Sequence, residues 1–106
     1  MINSKKIFIT GGAGFIANKL IEKLADNNQI TVYDNFSRDT LSNSKYADHQ
    51  NIKIIKGDIL DYNLLKVSMS GSQIVIHAAA IAGIDTVIKN PVKTMQVNMI
   101  GTANAL

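Results

Sequence analysis

Near its start the chain reads Lys6-Ile-Phe-Ile-Thr-Gly-Gly-Ala-Gly-Phe-Ile-Ala17. A short apolar run ends at Gly11, Gly12 and Gly14, and an amphipathic segment follows. Counted from Gly12, the spacing is G-x-G-x-x-A, which is typical of a strand that turns into a helix around the pyrophosphate of a dinucleotide. Glycine permits backbone angles closed to other residues, and its missing side chain lets a phosphate reach the N–H groups at the helix start. The stretch therefore predicts a strand, loop and helix that bind a dinucleotide.

An acidic residue follows the second predicted strand at the spacing that a dinucleotide site requires. That strand is Ile30–Tyr33, and Asp34 follows it, twenty positions after Gly14. A carboxylate there can accept hydrogen bonds from both hydroxyls of the adenosine ribose, and it would repel the additional phosphate of NADP. Because Arg38 lies close enough in sequence to soften that repulsion, the pattern favours NAD and leaves NADP as the second choice. Asp34 also suits an ordinary turn after a strand, but its position favours the ligand interpretation.

Composition limits the classes of protein that the chain can represent. Its 106 residues suffice for one domain, yet they are few for a complete doubly wound sheet. Apolar residues make up 46% of the chain, which predicts a folded globule. The net charge of +3 is small and the lysines are scattered, so we expect no nucleic-acid binding.

The chain has no cysteine, so a disulfide or a thiolate metal site cannot form, and we expect no metal site. This absence suits the reducing cytoplasm, where we expect the protein to reside. No apolar run approaches the length of a membrane span, and the residues before the first strand leave no room for a signal peptide. We therefore expect no membrane partner.

Strand and helix patterns alternate along the chain, as in a parallel sheet built from βαβ units. The predicted strands are Lys6–Thr10, Ile30–Tyr33, Ile52–Lys56 and Gln73–His77. The predicted helices are Phe15–Asp26 with an apolar stripe of Ile16, Leu20 and Leu24, Tyr62–Ser70 with Asp61 as N-cap, and a last helix from about Val92 that still runs at Leu106. The stretch 35–51 is polar and predicts a loop with room for one short helix, and the segment between the fourth strand and Pro91 is mixed.

Right-handed crossovers between these strands predict an incomplete Rossmann-type α/β fold. It has about four parallel strands in the order 3-2-1-4, with helices on both faces. The fourth strand is an apolar run of the kind that is buried on both faces, and it would form an open edge of the sheet.

With these residues assembled, the chain resembles the extended short-chain dehydrogenase/reductase family, and within it the NAD-dependent nucleotide-sugar epimerases and dehydratases. The resemblance covers essentially the whole chain and corresponds to about the first third of a family member. Five elements carry it, in the family's order: Thr10-Gly-Gly-Ala-Gly-Phe-Ile-Ala17 is similar to T-G-G-x-G-F-I-G, Tyr33-Asp34-Asn35 to the ribose-binding strand end, Gly57-Asp58-Ile59 to G-D-I/L, His77-Ala-Ala-Ala80 to H-x-A-A, and Asn98-Met-Ile-Gly-Thr102 to N-x-x-G-T. Ala17 is the departure in the first element.

The resemblance implies NAD as the cofactor and a role for each matching residue. It places Gly11, Gly14, Phe15 and Ile16 at the pyrophosphate, Asp34 and Asn35 at the ribose, Asp58 and Ile59 at adenine, Ala78, Ala79 and Ala80 along the nicotinamide side, and Asn98 on the cofactor side of the site. Plainer alternatives stay open: Asp58 could simply finish a strand, and Asn98 could be a polar residue on a solvated helix face. For His77 we favour a core histidine satisfied by a backbone group, because one histidine without a partner makes neither a triad nor a metal site.

The family's chemistry, as the resemblance implies it, uses a serine or threonine on a fifth strand and a Y-x-x-x-K pair on the next helix. The tyrosine removes a proton from a sugar hydroxyl as hydride passes to the nicotinamide, and the lysine lowers the pKa of the tyrosine. The chain holds one literal match, Tyr62-Asn-Leu-Leu-Lys66, but it follows the third strand, on the adenine half of the sheet. We interpret it as an ordinary amphipathic helix, so no catalytic residue is assigned.

Two functions remain open on this reasoning. In the first, residues 1–106 are the N-terminal part of the NAD-binding domain of an enzyme that transiently oxidises a hydroxyl of a nucleotide sugar, expected to be a homodimer at full length. In the second, the chain is a dinucleotide-binding remnant or module without catalysis. Ile84-Asp85 followed by Pro91 is similar to dehydratases and Asn90-Pro-Val-Lys-Thr94 to decarboxylases, so the sugar and the reaction outcome stay open.

Overall fold

The computed structural model describes residues 3–36, 49–79 and 84–106, so Arg38 and most of the predicted loop 35–51 lie outside the described residues. Within these ranges the strands are β1 (Lys6–Thr10), β2 (Gln29–Asp34), β3 (Ile52–Lys56) and β4 (Ile74–His77). The helices are α1 (Phe15–Leu24), α2 (Tyr62–Met69), α3 (Ile84–Lys89), α4 (Pro91–Met95) and α5 (Gly101–Ala105), with a 3-10 turn at Ala25–Asn27 and a π-helical turn at Gln96–Ile100 that joins α4 to α5.

The strands form one parallel sheet in the order β3-β2-β1-β4, which confirms the predicted order. β1 lies inside the sheet, since Thr10 is in register with Tyr33 on one side and with His77 on the other. In a parallel sheet all carboxyl ends lie at the same edge, and ligands of open α/β sheets bind there. The glycine loop, Asp34 and the residues after β4 therefore meet at one edge.

Helices cover both faces of the sheet, as predicted. Alternate residues of β1 enter different core layers, because successive side chains of a strand point to opposite faces. The layer under α1 contains Ile7, Ile9, Ala13, Ala17, Ile21, Ala25, Ile30 and Val32. The opposite layer contains Phe8, Tyr33, Ile59, Leu65 and Val97, so α2 and the π-helical turn cover that face.

The predicted apolar stripe of α1 is wrong in phase. Ile16 is 75% exposed, whereas Ala17 and Ile21 are fully buried. The buried face repeats every four residues through alanines, and these small side chains let the helix lie close to the sheet. Large apolar residues alone therefore misidentified the face, although Leu24 does pack against the edge of the same layer.

The structure also differs from the predicted elements at the end of α1, in the segment after β4 and in the exposure of β4. α1 ends at Leu24 rather than Asp26, because the chain tightens there into the 3-10 turn. The mixed segment after β4 contains the helix α3. The last helix begins at Pro91, and proline suits this first helical position because an N–H there would have no partner within the helix. β4 is less buried than predicted: Val75 is 42% exposed, since among the described strands β4 pairs with β1 alone.

Candidate functional site

The glycine loop after β1 requires glycine at its first position for two separate reasons. Gly11 has φ +71°, in the left-handed region that other residues rarely adopt. A Cβ atom there would lie 2.7 Å from the backbone nitrogen of Ala79 and 2.8 Å from the carbonyl carbon of Ala78. The loop thus passes directly against the chain leaving β4, and the Gly11 N–H donates to the Tyr33 carbonyl at 2.8 Å.

The start of α1 provides an anion-binding geometry. Gly14 is the N-cap with extended backbone angles, φ −77° and ψ 168°, and no side chain caps the helix. The first turn also carries no acidic residue. The N–H groups of an uncapped first turn, together with the helix dipole, favour a phosphate. Ile16, in that turn, is exposed, and the side chain of Phe15 lies outside what the structure describes.

Asp34 ties the end of β2 to the glycine loop. Its Oδ2 accepts a hydrogen bond from the Ala13 N–H at 3.0 Å, and its Oδ1 accepts one from the Phe36 N–H at 2.8 Å. A carboxylate has about four lone-pair positions, so the half-buried group can still accept ribose hydroxyls. The structure therefore brings Asp34 beside the loop that should hold the pyrophosphate, with Asn35 exposed next to it.

A buried tyrosine fixes the loop that contains Asp58. The Tyr33 hydroxyl donates to the Asp58 carbonyl at 2.7 Å, and a Cβ on Gly57 would lie 2.5 Å from the Cζ of that ring. The Asp58 side chain accepts from the Leu60 N–H at 2.9 Å and remains partly exposed. Burial, and then the carboxylates of Asp61 and Asp58, raise the pKa of Tyr33 and keep its hydroxyl a donor. Sequence reasoning missed this role of Tyr33.

The Ile59 side chain lies in the core rather than at the site edge. It is 6% exposed, and a Cβ on Gly101 would lie 2.7 Å from its Cγ2. Its carbonyl accepts a hydrogen bond from Nδ2 of Asn104 at 3.1 Å. The assigned contact of Ile59 with adenine stays a prediction and, since the side chain is buried, it would fall to the backbone.

On the other side of the glycine loop, His77 connects β1 to the C-terminal helix, the name used below for the continuous segment of α4, the π-helical turn and α5. Its Nδ1 lies 2.6 Å from Oγ1 of Thr10, and its Nε2 lies 3.1 Å from Oγ1 of Thr102. The partners of this ring are thus hydroxyl groups, not the backbone group that we expected. Burial lowers the pKa of His77, which favours the neutral ring.

The remaining predicted residues flank this contact. The Ala78 N–H donates to the Thr10 carbonyl at 3.0 Å, which extends the pairing of β4 with β1 by one residue. Ala79 follows next to Gly11, and Ala80 lies outside the described residues. Asn98 is half-buried in the π-helical turn, and its carbonyl accepts from the Thr102 hydroxyl at 2.6 Å.

The tyrosine–lysine match on α2 does not have the geometry of a catalytic pair. α2 follows β3, which lies at the opposite edge of the sheet from β4. Nζ of Lys66 lies 6.0 Å from the centroid of the Tyr62 ring, over its face, and the ring is half-exposed. Among residues 3–36, 49–79 and 84–106, no three metal-ligating side chains cluster, and no helix is long and apolar enough to cross a membrane.

Residues 7–106 match the model of the NAD dependent epimerase/dehydratase family. The chain belongs to this family. UDP-glucuronic acid decarboxylase 1 of Danio rerio is 36% identical over 104 residues, which are 96% of this chain and 24% of that protein.

Solved structures of similar proteins share the fold. A UDP-N-acetylglucosamine 4-epimerase from Methanobrevibacter ruminantium M1, in complex with UDP-N-acetylmuramic acid, superposes with a TM-score of 0.88 at 31% identity and covers 98% of this chain and 33% of its own. The Bordetella bronchiseptica enzyme WbmH, in complex with NAD+, superposes with a TM-score of 0.83 at 26% identity, over 97% of this chain and 34% of its own. The chain thus spans between a quarter and a third of the length of these proteins.

Proposed function

We propose that this chain binds NAD as the N-terminal, cofactor-binding part of a nucleotide-sugar epimerase, dehydratase or decarboxylase. In that enzyme a sugar hydroxyl is transiently oxidised by hydride transfer to NAD, and the substrate is a nucleotide sugar. One observation carries the proposal: the uncapped glycine loop and the Asp34 carboxylate are joined directly, through the Ala13 N–H, at the carboxyl edge of a parallel sheet.

The residues fit an NAD molecule in three ways. The first turn of α1 offers N–H groups to a pyrophosphate without competition from a capping side chain. Asp34 keeps acceptor positions for ribose hydroxyls and would repel a phosphate on them, which favours NAD over NADP. The exposed Ala78 and the half-buried Ala79 present small side chains beside Gly11, so a flat ligand can approach the backbone. The cofactor, when bound, supplies the hydride chemistry.

Relatives support the substrate class but leave the reaction open. The Danio rerio protein is named a UDP-glucuronic acid decarboxylase, and the Methanobrevibacter ruminantium protein is named a UDP-N-acetylglucosamine 4-epimerase. Both enzymes are named after a UDP-linked sugar, which supports a nucleotide sugar as the substrate class. As parts of the same proposal, the catalytic serine or threonine and the Y-x-x-x-K pair come from outside these 106 residues, and the whole enzyme is a cytoplasmic homodimer.

Substitution of Gly14 separates binding from folding. Gly14 has a φ of −77°, which any residue adopts, and a Cβ there would meet only the Gly11 carbonyl oxygen, at 3.2 Å. Aspartate is a preferred N-cap residue, so Gly14→Asp should leave the melting temperature unchanged or raise it. The same carboxylate would occupy and repel the pyrophosphate position. We expect NAD affinity, measured by calorimetry, to fall at least about tenfold.

Gly14→Ala is the matched control, because it adds the Cβ without the charge. We expect it to retain more affinity than Gly14→Asp and to melt within a few degrees of the wild type. Equal NAD affinity of Gly14→Asp and the wild type would overturn the proposed site.

The second candidate is a dinucleotide-binding protein without catalysis. It is supported by the position of the Tyr62–Lys66 match on α2, which follows β3 at the opposite edge of the sheet from β4. The intact mass of the protein from its native cell distinguishes the two. A mass well above that of 106 residues, with turnover of a UDP-sugar, supports the enzyme. A mass of 106 residues, with NAD binding and no turnover, supports the second candidate.

A further inference from the structure

Hydrogen-bond geometry determines which nitrogen of His77 carries the proton. The Thr102 hydroxyl has one proton, and the carbonyl of Asn98, 2.6 Å away, takes it. Oγ1 of Thr102 must therefore accept from Nε2 of His77 at 3.1 Å, which places the ring proton on Nε2. In the neutral ring Nδ1 is then an acceptor.

The direction of the remaining bonds follows. The Thr10 hydroxyl donates to Nδ1 at 2.6 Å, and its oxygen accepts from the Ala79 N–H at 3.3 Å. Thr10 is fully buried, so its hydroxyl can find no replacement partner in bulk water. Every donor in this series meets an acceptor, so the direction of each hydrogen bond from the Ala79 N–H to the Asn98 carbonyl is fixed.

This series joins three elements that surround the proposed cofactor site. Thr10 directly precedes the glycine loop, Ala79 lies against Gly11, and Asn98 lies in the π-helical turn. π-helical turns are rare and occur frequently at functional sites.

We propose that His77 is a positioning residue for the NAD site. Its neutral ring, protonated on Nε2, holds the turn that carries Asn98 in a fixed relation to the glycine loop, without touching the cofactor. The inference rests on the proposed function, because it assigns a consequence for NAD binding.

The two threonines bind opposite nitrogens of the ring, so a mutant cycle tests whether the ring couples them. NAD affinity of the full natural protein is measured for Thr10→Val, Thr102→Val and the double variant, well below their melting temperatures. We expect each single variant to weaken binding about three- to tenfold, and the double variant to weaken it less than the product of the two. Thr10→Ser and Thr102→Ser, which keep the hydroxyl, should bind within about twofold of the wild type.

The same cycle in a His77→Phe background tests the route of the coupling. Phenylalanine keeps a ring of similar size without nitrogens, so the effects of the two threonine substitutions should become independent. Independent effects in the wild-type background, or coupling that persists with phenylalanine, would overturn the proposal. A merely structural role for His77 would lower stability without changing how the two threonine effects combine.

Nitrogen NMR of the imidazole gives a readout that does not depend on NAD. We expect the chemical shifts of an unprotonated Nδ1 and a protonated Nε2, and the opposite tautomer would overturn the hydrogen-bond order. Wild-type protein that binds no NAD would overturn the proposed function together with this inference. Normal NAD binding with independent threonine effects would overturn this inference alone.

Discussion

The two sides of the glycine loop are held in different ways. On the side of α1 and β2, Ile9, Ala17 and Val32 are at most 1% exposed and form a closed core layer. On the side of β4 and the C-terminal helix, Val75 and Met95 are 42% and 59% exposed. Among the described residues, pyrophosphate and ribose groups would thus meet a surface fixed by dense packing, whereas the contacts between the loop and the β4 side are single close approaches and hydrogen bonds. The comparison implies that substitutions on the two sides should fail by different mechanisms.

Gly11→Ala should have the largest effect, because it acts where the two sides touch. A positive φ costs about 1–2 kcal/mol for a residue with a Cβ, and the new atom would collide with the rigid backbone of Ala79. Overpacking of this kind costs about 1–3 kcal/mol more. We expect the free energy of unfolding in urea to fall by about 3 kcal/mol, with loss of NAD binding.

Gly71→Ala is the matched control for backbone strain. Gly71 has φ +83°, but no atom lies within 4 Å of a Cβ placed there. Its substitution should therefore cost about 1 kcal/mol, and the difference between the two glycines measures the close approach of loop and strand. Equal costs would mean that β4 does not lie against the loop as described.

Tyr33→Phe tests the densely packed side with a smaller change. It removes the hydrogen bond to the Asp58 carbonyl, which still accepts from the Asp61 N–H at 3.0 Å, so the cost should be about 1 kcal/mol. Because the pKa of Tyr33 is raised above its ordinary 10.0, the unfolded chain loses the proton first as pH rises. Wild-type stability should therefore hold below pH 10 and decline as pH rises through the raised pKa.

Chemical denaturation across alkaline pH checks both parts of the Tyr33 prediction. The gap between wild type and Tyr33→Phe should narrow at high pH, since phenylalanine has no proton to lose. A gap that is constant from neutral to alkaline pH would show that the hydroxyl titrates alike in both states.

Local patterns were enough to predict the sheet order and a position for Asp34 beside the glycine loop, because both depend on short-range requirements; the role of Asp34 at a ribose stays a prediction. The loop itself requires glycine at Gly11, and Asp34 ends the strand that pairs with β1. The buried face of α1 was misidentified, because alanines such as Ala17 give a weak apolar signal next to an exposed Ile16.

Contacts between distant residues could not be read from the sequence. The bond from Tyr33 to Asp58 spans 25 residues and depends on the register of β2 with β3. The contact of His77 with Thr102 likewise depends on where the last helix packs. One local signal was available for the first of these: Gly57 directly follows β3, and the neighbouring strand β2 carries a large aromatic residue, Tyr33, one position before its end.

Acidification should weaken the β4 side first. Burial lowers the pKa of His77 below its ordinary 6.5, so the unfolded chain binds a proton before the folded chain does. Stability should be fully present above pH 6.5 and fall as pH decreases through the lowered pKa. We expect a smaller loss of unfolding free energy than for Tyr33→Phe. The measurement is the urea midpoint at several pH values in a His49→Gln variant, in which His77 is the remaining histidine. This midpoint should shift to lower urea concentration as the pH is lowered below 6.5. The shift should disappear when His77→Gln is added, and its persistence would assign it to carboxyl groups instead.

Met95→Gln with Met99→Gln should have the smallest effect on stability. Both side chains are more than half exposed on the C-terminal helix, so the free energy of unfolding should change by less than about 0.5 kcal/mol. Val97→Gln is the contrasting variant on the same helical segment: Val97 is 8% exposed and packs in the layer of Phe8, and a buried amide there should cost about 2 kcal/mol or more.

Large exposed apolar side chains favour association, so the double methionine variant should also sediment with less self-association than the wild type. If the methionine pair were as costly as Val97→Gln, this face would be packed in the folded protein, and the contrast between the two sides of the loop would be lost.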